Sequence, residues 1–190
     1  KETVKDVFNQ LQKKHIHLLS EQELDDSQKE AVKEYCLSKL AGNLSPVWLS
    51  SVQGVNSLSD DSIHFVVRLK KQDEQKKGRR KGYAIIEIPV KKFGRFVQLP
   101  DVSSGNVTDH YVMYLDDVIR CALPYLFPGS GFNRFEAWSF KFTKDAEMEL
   151  DTNIQGGTLQ KIAKGVRSRK NGLPIRFIYD EKMPREVLNK

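Results

Sequence analysis

The 190-residue sequence has only two cysteines, no long hydrophobic run and no nucleotide-binding loop. Cys36 and Cys121 stand far apart, with no CxxC pair and no histidine at ligand spacing, which excludes the usual zinc frameworks. Each falls on an apolar helical face, so both read as reduced core thiols of an intracellular protein. No apolar stretch approaches the roughly 20 residues that a membrane-spanning helix needs. GxxxxGK[ST] does not occur, and the lone Gly129-Ser130-Gly131 inside Phe127-Pro128-Gly129-Ser130-Gly131 is a breaker cluster, not a phosphate loop. No signal-peptide pattern follows Lys1, and both ends read as cut inside or beside helices, so a piece of a longer protein is expected.

What is present is an ordinary globular composition, 39% hydrophobic and 29% charged, enough for one domain with a real core. The net charge of +6 is unevenly placed. Lys70, Lys71, Lys76, Lys77, Arg79, Arg80 and Lys81 outnumber Asp73 and Glu74 in one segment. Lys161, Lys164, Arg167, Arg169, Lys170 and Arg176 meet no acid between Thr152 and Tyr179. The remaining chain is therefore mildly acidic, and the pattern points to a localised polyanion partner.

Periodicity gives a helix over 3–14, with Val4, Val7, Phe8 and Leu11 on one face, and then a strand-like His15-Ile16-His17-Leu18-Leu19. The two histidines would face one way, but no third metal ligand is evident. Asp25, Asp26 and Ser27 offer caps for a second helix through Ala31, Val32, Tyr35, Cys36 and Leu40, which Gly42-Asn43 should stop in the left-handed region. Residues 47–61 read as a loop. Ile63 to Leu69 is a strand with Ile63, Phe65, Val67 and Leu69 inward, and Tyr83 to Ile88 is apolar enough to be central. The basic segment between them reads as a solvated hairpin tip, with Arg79, Arg80 and Lys81 still able to touch a polyanion. Short strands follow at 95–100 and 110–114, separated by a turn-rich loop at 101–108. Asp116 should cap a helix carrying Val118, Ile119, Ala122 and Leu123, which Pro124 ends or bends. A helix after Gly156-Gly157, a strand at 176–179 and a last helix opened by Met183-Pro184 complete the chain. With no regular βαβ rhythm, the fold class expected is α+β, a mixed β-sheet packed with helices.

The run from Phe135 to Leu150 organises the rest. Alternation puts Trp138, Phe140 and Phe142 on one face and Ser139, Lys141 and Thr143 on the other. Two hydroxyls flanking an ammonium suit a bound oxyanion, since all three donate hydrogen bonds. On periodicity alone the plainer reading, a solvated outer face, is preferred.

The wording adds to the periodicity. RFVQLP (95–100), LDDVIRCALPYLFPG (115–129), SFKFTKDAEMEL (139–150) and PIRFIYDEKMP (174–184) resemble, in order and spacing, the middle or head domain of type 1 polyphosphate kinases. HIHLLSEQEL, from His15 to Leu24, looks like the hinge after that family's N-terminal helical domain. The resemblance implies residues 1–190 as a single middle domain, with 1–14 the end of the preceding helical region and 184–190 leading into C-terminal domains. It implies a cytoplasmic kinase, leaving open peripheral membrane association, that moves the γ-phosphate of ATP reversibly onto inorganic polyphosphate through a phosphohistidine, assisted by Mg²⁺. The phosphohistidine and most of the ATP pocket belong to C-terminal domains, so none of His15, His17, His64 and His110 is assigned as nucleophile. No cofactor is expected in this piece, and it should be inactive alone.

In this family the domain helps form the dimer and borders the polyphosphate tunnel. Lys141 and Lys144 fall in the matching run, although the family usually has Arg where this chain has Lys144, so a point charge replaces a bidentate fork. Lys161, Lys164, Arg167 and Arg176 join them as candidates from charge geometry alone. Asp145 and Glu147 could orient those cations. The alternative is a polyanion- or nucleic-acid-binding module without catalysis. Against nucleic acid stand the acidic remainder and the lack of aromatic-basic interleaving, so none is expected as partner.

Overall fold

A computed structural model describes residues 2–52, 58–60, 62–71, 80–144 and 174–190. Its contacts divide the chain into two compact units, Lys1–Ser45 with Leu69–Lys81 and Ile88–Glu136, and Pro46–Arg68 with Gly82–Glu87 and Ala137–Lys190. The architecture is α+β, two sheets with helices, as the sequence leads one to expect.

In the first unit, α1 (Glu2–Gln12) leads through His15, held at φ 60, into β1 (Ile16–Leu19). β1 runs parallel to β7 (Val107–Tyr114), and β5 (Phe96–Gln98) pairs antiparallel with β7. α2 (Asp26–Tyr35) starts from a reciprocal capping box. The Asp25 carboxylate accepts from the Gln28 N–H, and the Gln28 side chain accepts from the Asp25 N–H. α4 (Leu115–Leu126) buries Leu115, Val118, Ile119, Ala122 and Leu123, a stripe at helical spacing, beside Val32, Cys36 and Leu40.

Three expectations change here. The chain does not turn left-handed at Gly42-Asn43. After α2 it widens into a π-helical turn, Cys36–Leu40, and tightens into a 3₁₀ turn, Ala41–Asn43. The Asn43 side-chain amide donates to the Lys39 carbonyl at 2.7 Å, satisfying a terminal acceptor without a left-handed residue. The expected loop at 101–108 is a hairpin, β6 (Val102–Ser104) paired with the start of β7, in which Gly105 at φ 63 supplies the two-residue turn with Asn106. Asp116 does not cap α4, which has Tyr114 at that position without a side-chain bond. Instead, Asp116 is buried and accepts two bonds from Arg95, at 2.7 and 3.0 Å. Pro124 sits inside the helix, in its last turn. The remaining short helix, α3 (Val90–Phe93), precedes β5.

The second unit holds most of a sheet ordered β2 (Val47–Trp48), β4 (Arg80–Glu87), β3 (Ile63–Lys71), β8 (Arg134–Lys144) and β9 (Pro174–Tyr179); residues 69–71, 80–81 and 134–136 of its strands belong to the first. β8 is the longest strand of the chain's described residues, where the sequence places it, although 145–150 lie outside the described residues. One face packs Val66, Ile85, Phe140 and Phe142 against Met183 and Val187, the latter from α5 (Arg185–Leu188). The other face buries Phe65, Val67, Ala84 and Ile86 completely. β3 is thus buried on both faces, including His64, Val66 and Arg68, which simple alternation had left outward. Met183 and α5 cover one face of β3, and the complete burial of Phe65 and Val67 shows that the other is covered too, so the strand has no solvated side.

Candidate functional site

The site grows from the β8–β9 pairing. The strands are antiparallel, with Phe140 opposite Tyr179, Lys141 opposite Ile178, Phe142 opposite Phe177 and Thr143 opposite Arg176. Directly opposed residues project to the same face, so the aromatic side of β8 continues into β9 as Phe177 and Tyr179. Phe177 lies 5.6 Å from both the Phe140 and the Tyr179 rings, centroid to centroid. The polar side of β8 continues as Ile178 and Arg176. Ser139, Lys141, Thr143 and Arg176 therefore share one face, with the Lys141 and Arg176 Cβ atoms on a diagonal of roughly 7–8 Å.

This face is not the solvated outer surface that periodicity alone favours. Ser139, Lys141 and Thr143 are each half-buried, and their side of the sheet carries the fully buried Phe65 and Val67. Arg176 is exposed. Partial burial lowers the local dielectric, so the Lys141 charge acts more strongly there than a fully solvated lysine would. No acid shares the described positions 137, 139, 141, 143, 176 and 178 of this face. Chemically, it offers two hydroxyls, an ammonium and a guanidinium: donors suited to phosphate oxygens.

Of the six cations singled out from sequence, the structure brings Lys141 and Arg176 together. Lys144 lies opposite Pro174 beyond a register shift between Thr143 and Lys144, which interrupts the alternation that orients Lys141, and its side chain lies outside the described residues. Lys161, Lys164 and Arg167, with Asp145 and Glu147, lie outside the described residues altogether.

Sequence reasoning missed the cluster on the opposite face. The Arg68 guanidinium lies 4.9 Å over the Trp138 ring and donates to Glu186 Oε1 at 3.2 Å, and Tyr83 Oη donates to the same oxygen at 2.9 Å. Arg68 is buried and paired, a clamp between β3 and α5 rather than a ligand contact. The sequence signal was the apolar β4, which requires its neighbour to be covered on both sides.

The histidines are engaged locally. His15 Nδ1 and His17 Nε2 both bond Asp109 Oδ1, at 3.0 and 2.9 Å, which holds that carboxyl below its ordinary range. His110 Nδ1 pairs with Asp101 at 3.0 Å. Among the described residues no group of three or more His, Cys, Asp or Glu has the arrangement to hold a metal. No described helix is long and apolar enough to cross a membrane.

Comparison with known proteins gives one family. Residues 27–190 match the model of the polyphosphate kinase middle domain. The polyphosphate kinase of Vibrio parahaemolyticus is 27% identical over 190 residues, 99% of this chain and 26% of that protein. That of Vibrio cholerae is 29% identical over 181 residues, 94% of this chain and 25% of that protein. The crystal structure of polyphosphate kinase from Porphyromonas gingivalis superposes with a TM-score of 0.70 at 24% identity, over 97% of this chain and 24% of that one, a likeness of fold. The chain thus spans about a quarter of the length of the curated relatives it matches.

Proposed function

Because the chain belongs to the polyphosphate kinase middle-domain family, we propose that it serves an enzyme that transfers the γ-phosphate of ATP reversibly to inorganic polyphosphate, and that the Lys141 face lies along the phosphate chain's path. In this reading residues 1–190 act as one non-catalytic domain of a cytoplasmic dimer, and the phosphohistidine lies in the remainder of the enzyme.

One observation carries the proposal: the β8–β9 register sets Arg176 opposite Thr143 and diagonal to Lys141, so that two cations and two hydroxyls share one face. The donor set suits phosphate oxygens and not Mg²⁺, which asks for carboxylates. ATP and Mg²⁺ are therefore given to the rest of the enzyme, and no step is drawn through them. A growing chain must be held and still slide. An exposed ion pair such as Arg176 can form contributes only about 0–1 kcal/mol, and the half-buried Lys141 somewhat more, so several spaced contacts grip a polyanion while letting it step from one to the next. Lys141, a compact charge on a flexible stem, and Arg176, a rigid fork, supply two such contacts, and the Ser139 and Thr143 hydroxyls supply neutral donors between them. Lys144, Lys161, Lys164 and Arg167 would extend the path.

Calorimetry with long-chain polyphosphate at two salt concentrations tests this. Binding that weakens as salt rises, and that Lys141→Ala/Arg176→Ala weakens further, is expected. Absence of binding, or tighter binding of RNA of equal charge, would refute it.

A further inference from the structure

A second group of cations is assembled by the ends of three strands, all within the first unit. β3 ends in Lys70-Lys71, β4 begins with Arg80-Lys81 and β8 begins with Arg134. β3 and β4 are neighbours in the sheet. The connection between Lys71 and Arg80 is too short for the crossover of a dozen or more residues that parallel strands need, so the pair is antiparallel and Lys71 and Arg80 lie side by side. The start of β8 is tied to the same place. The Asn133 N–H donates to the Lys70 carbonyl at 3.1 Å, and the Arg80 guanidinium lies 5.5 Å over the Phe132 ring.

The charges in this group are unequal in their freedom. Lys70 is paired with Glu136 at 2.8 Å. Lys71, Arg80 and Arg134 are exposed and make no ion pair among the described residues. Stacking on Phe132 orients Arg80 while leaving the edge of its fork, where the N–H donors are, to a ligand. Neighbouring strands are about 4.7–4.9 Å apart, so the three strand ends lie within about 10 Å; alternation puts Arg80 and Lys71 on one face of the sheet and Arg134 on the other, so the patch wraps the sheet's end.

We infer that this strand-end patch is a second polyphosphate contact, at the start of β8 and along the strand from Lys141. The inference rests on the proposed function for the identity of the polyanion. The chemistry fits a bare phosphate chain better than the other polyanions. Single-stranded nucleic acid would ask for an open aromatic platform, and Phe132 is covered by Arg80. An anionic membrane surface would favour an apolar anchor, and none of the exposed large hydrophobic side chains lies in the patch.

The test uses the 190-residue chain and long-chain polyphosphate, with Lys71→Ala/Arg80→Ala/Arg134→Ala beside Lys141→Ala/Arg176→Ala. Each lost contact on a single strand lowers the slope of log K against log salt by about 0.7, so the triple variant should lose about 2 in slope and bind tenfold or more weakly at about 50 mM salt. Glu136→Gln, which releases Lys70, should tighten binding by a few fold. If the triple variant binds like the parent chain, or if Glu136→Gln fails to tighten binding, the patch is refuted while the Lys141 reading stands. If the parent chain binds no polyphosphate at either salt concentration, the proposed function falls and this inference with it. Tighter binding of an RNA oligonucleotide or of phosphatidylserine vesicles, lost in the triple variant, would overturn the choice of partner.

Discussion

Replacing His64 by Phe should stabilise the chain, most of all in mild acid. His64 is 1% exposed, stacked between Phe140 and Phe142 at centroid distances of 5.3 and 5.7 Å, and neither ring nitrogen has a hydrogen-bond partner among the described residues. An unsatisfied buried polar group costs about 1–3 kcal/mol, which a phenyl ring would recover. The larger ring returns part of that through overpacking, about 1 kcal/mol or more. A net gain of about 1 kcal/mol near neutral pH follows, or roughly 2–4 °C in Tm for a chain of this size. The pH dependence is sharper. Burial holds the His64 imidazole below its ordinary value of 6.5, with the Glu87 carboxylate and a Ser62 backbone group that falls short of hydrogen-bond geometry pulling the other way. The unfolded chain therefore binds a proton below about pH 6.5 that the folded chain resists, so stability from this site is constant above that pH and falls as the medium becomes more acidic. The loss reaches at most about 2 kcal/mol at pH 5, since each pH unit is worth about 1.36 kcal/mol. Urea titrations at pH 8, 6.5 and 5 would measure it, and the His64→Phe advantage should widen towards pH 5. An advantage that stays constant or shrinks below pH 6.5 would refute the assignment of a neutral, orphaned imidazole.

Two further outcomes follow from buried groups. Arg95→Ala strands the Asp116 carboxylate inside the fold, at a cost of about 3 kcal/mol in urea unfolding, the low end for a buried pair because Arg95 is itself partly solvated. A loss below 1 kcal/mol would mean that water reaches Asp116. Burial pushes the Cys36 thiol up to about 12 and the Cys121 thiol up to about 11. Neither should react with a thiol reagent at pH 8 on the timescale of a surface cysteine, and both should react in denaturant; rapid modification of the native chain would contradict the packing of the π-helical turn against α4.

Much of the fold was legible because its signals are local. The alternation of Trp138, Phe140 and Phe142 placed β8 and its aromatic face, and the 3.6-residue stripe through Val118 and Leu123 placed α4. Other features depend on partners that no local window contains. Asp116 has the position of a cap in sequence, yet Arg95, from the turn before β5, captures it. His64 and Arg68 look like the outward half of an alternating strand until Met183 and α5 are known to cover that face. The hairpin at Gly105-Asn106 has a signal in the turn pair itself, but its flanking strand, Val102-Ser103-Ser104, is too short and polar to stand out from a loop. The candidate site shows the same division. Ser139, Lys141 and Thr143 were visible as a row, but Arg176 joins them only through the β8–β9 register.

The location of the polyphosphate path can be read directly at Ile178, which is exposed and lies opposite Lys141 on the same face. Ile178→Cys carrying an environment-sensitive fluorophore can be labelled selectively near neutral pH, because Cys36 is buried, Cys121 is half-buried, and burial pushes their thiols up to about 12 and about 11. Adding long-chain polyphosphate should change the emission at this position, with a midpoint that moves to higher polyphosphate concentration as salt rises and as Lys141 and Arg176 are removed. Polyphosphate binding detected by calorimetry with no change at Ile178 would contradict the placement of the chain on this face.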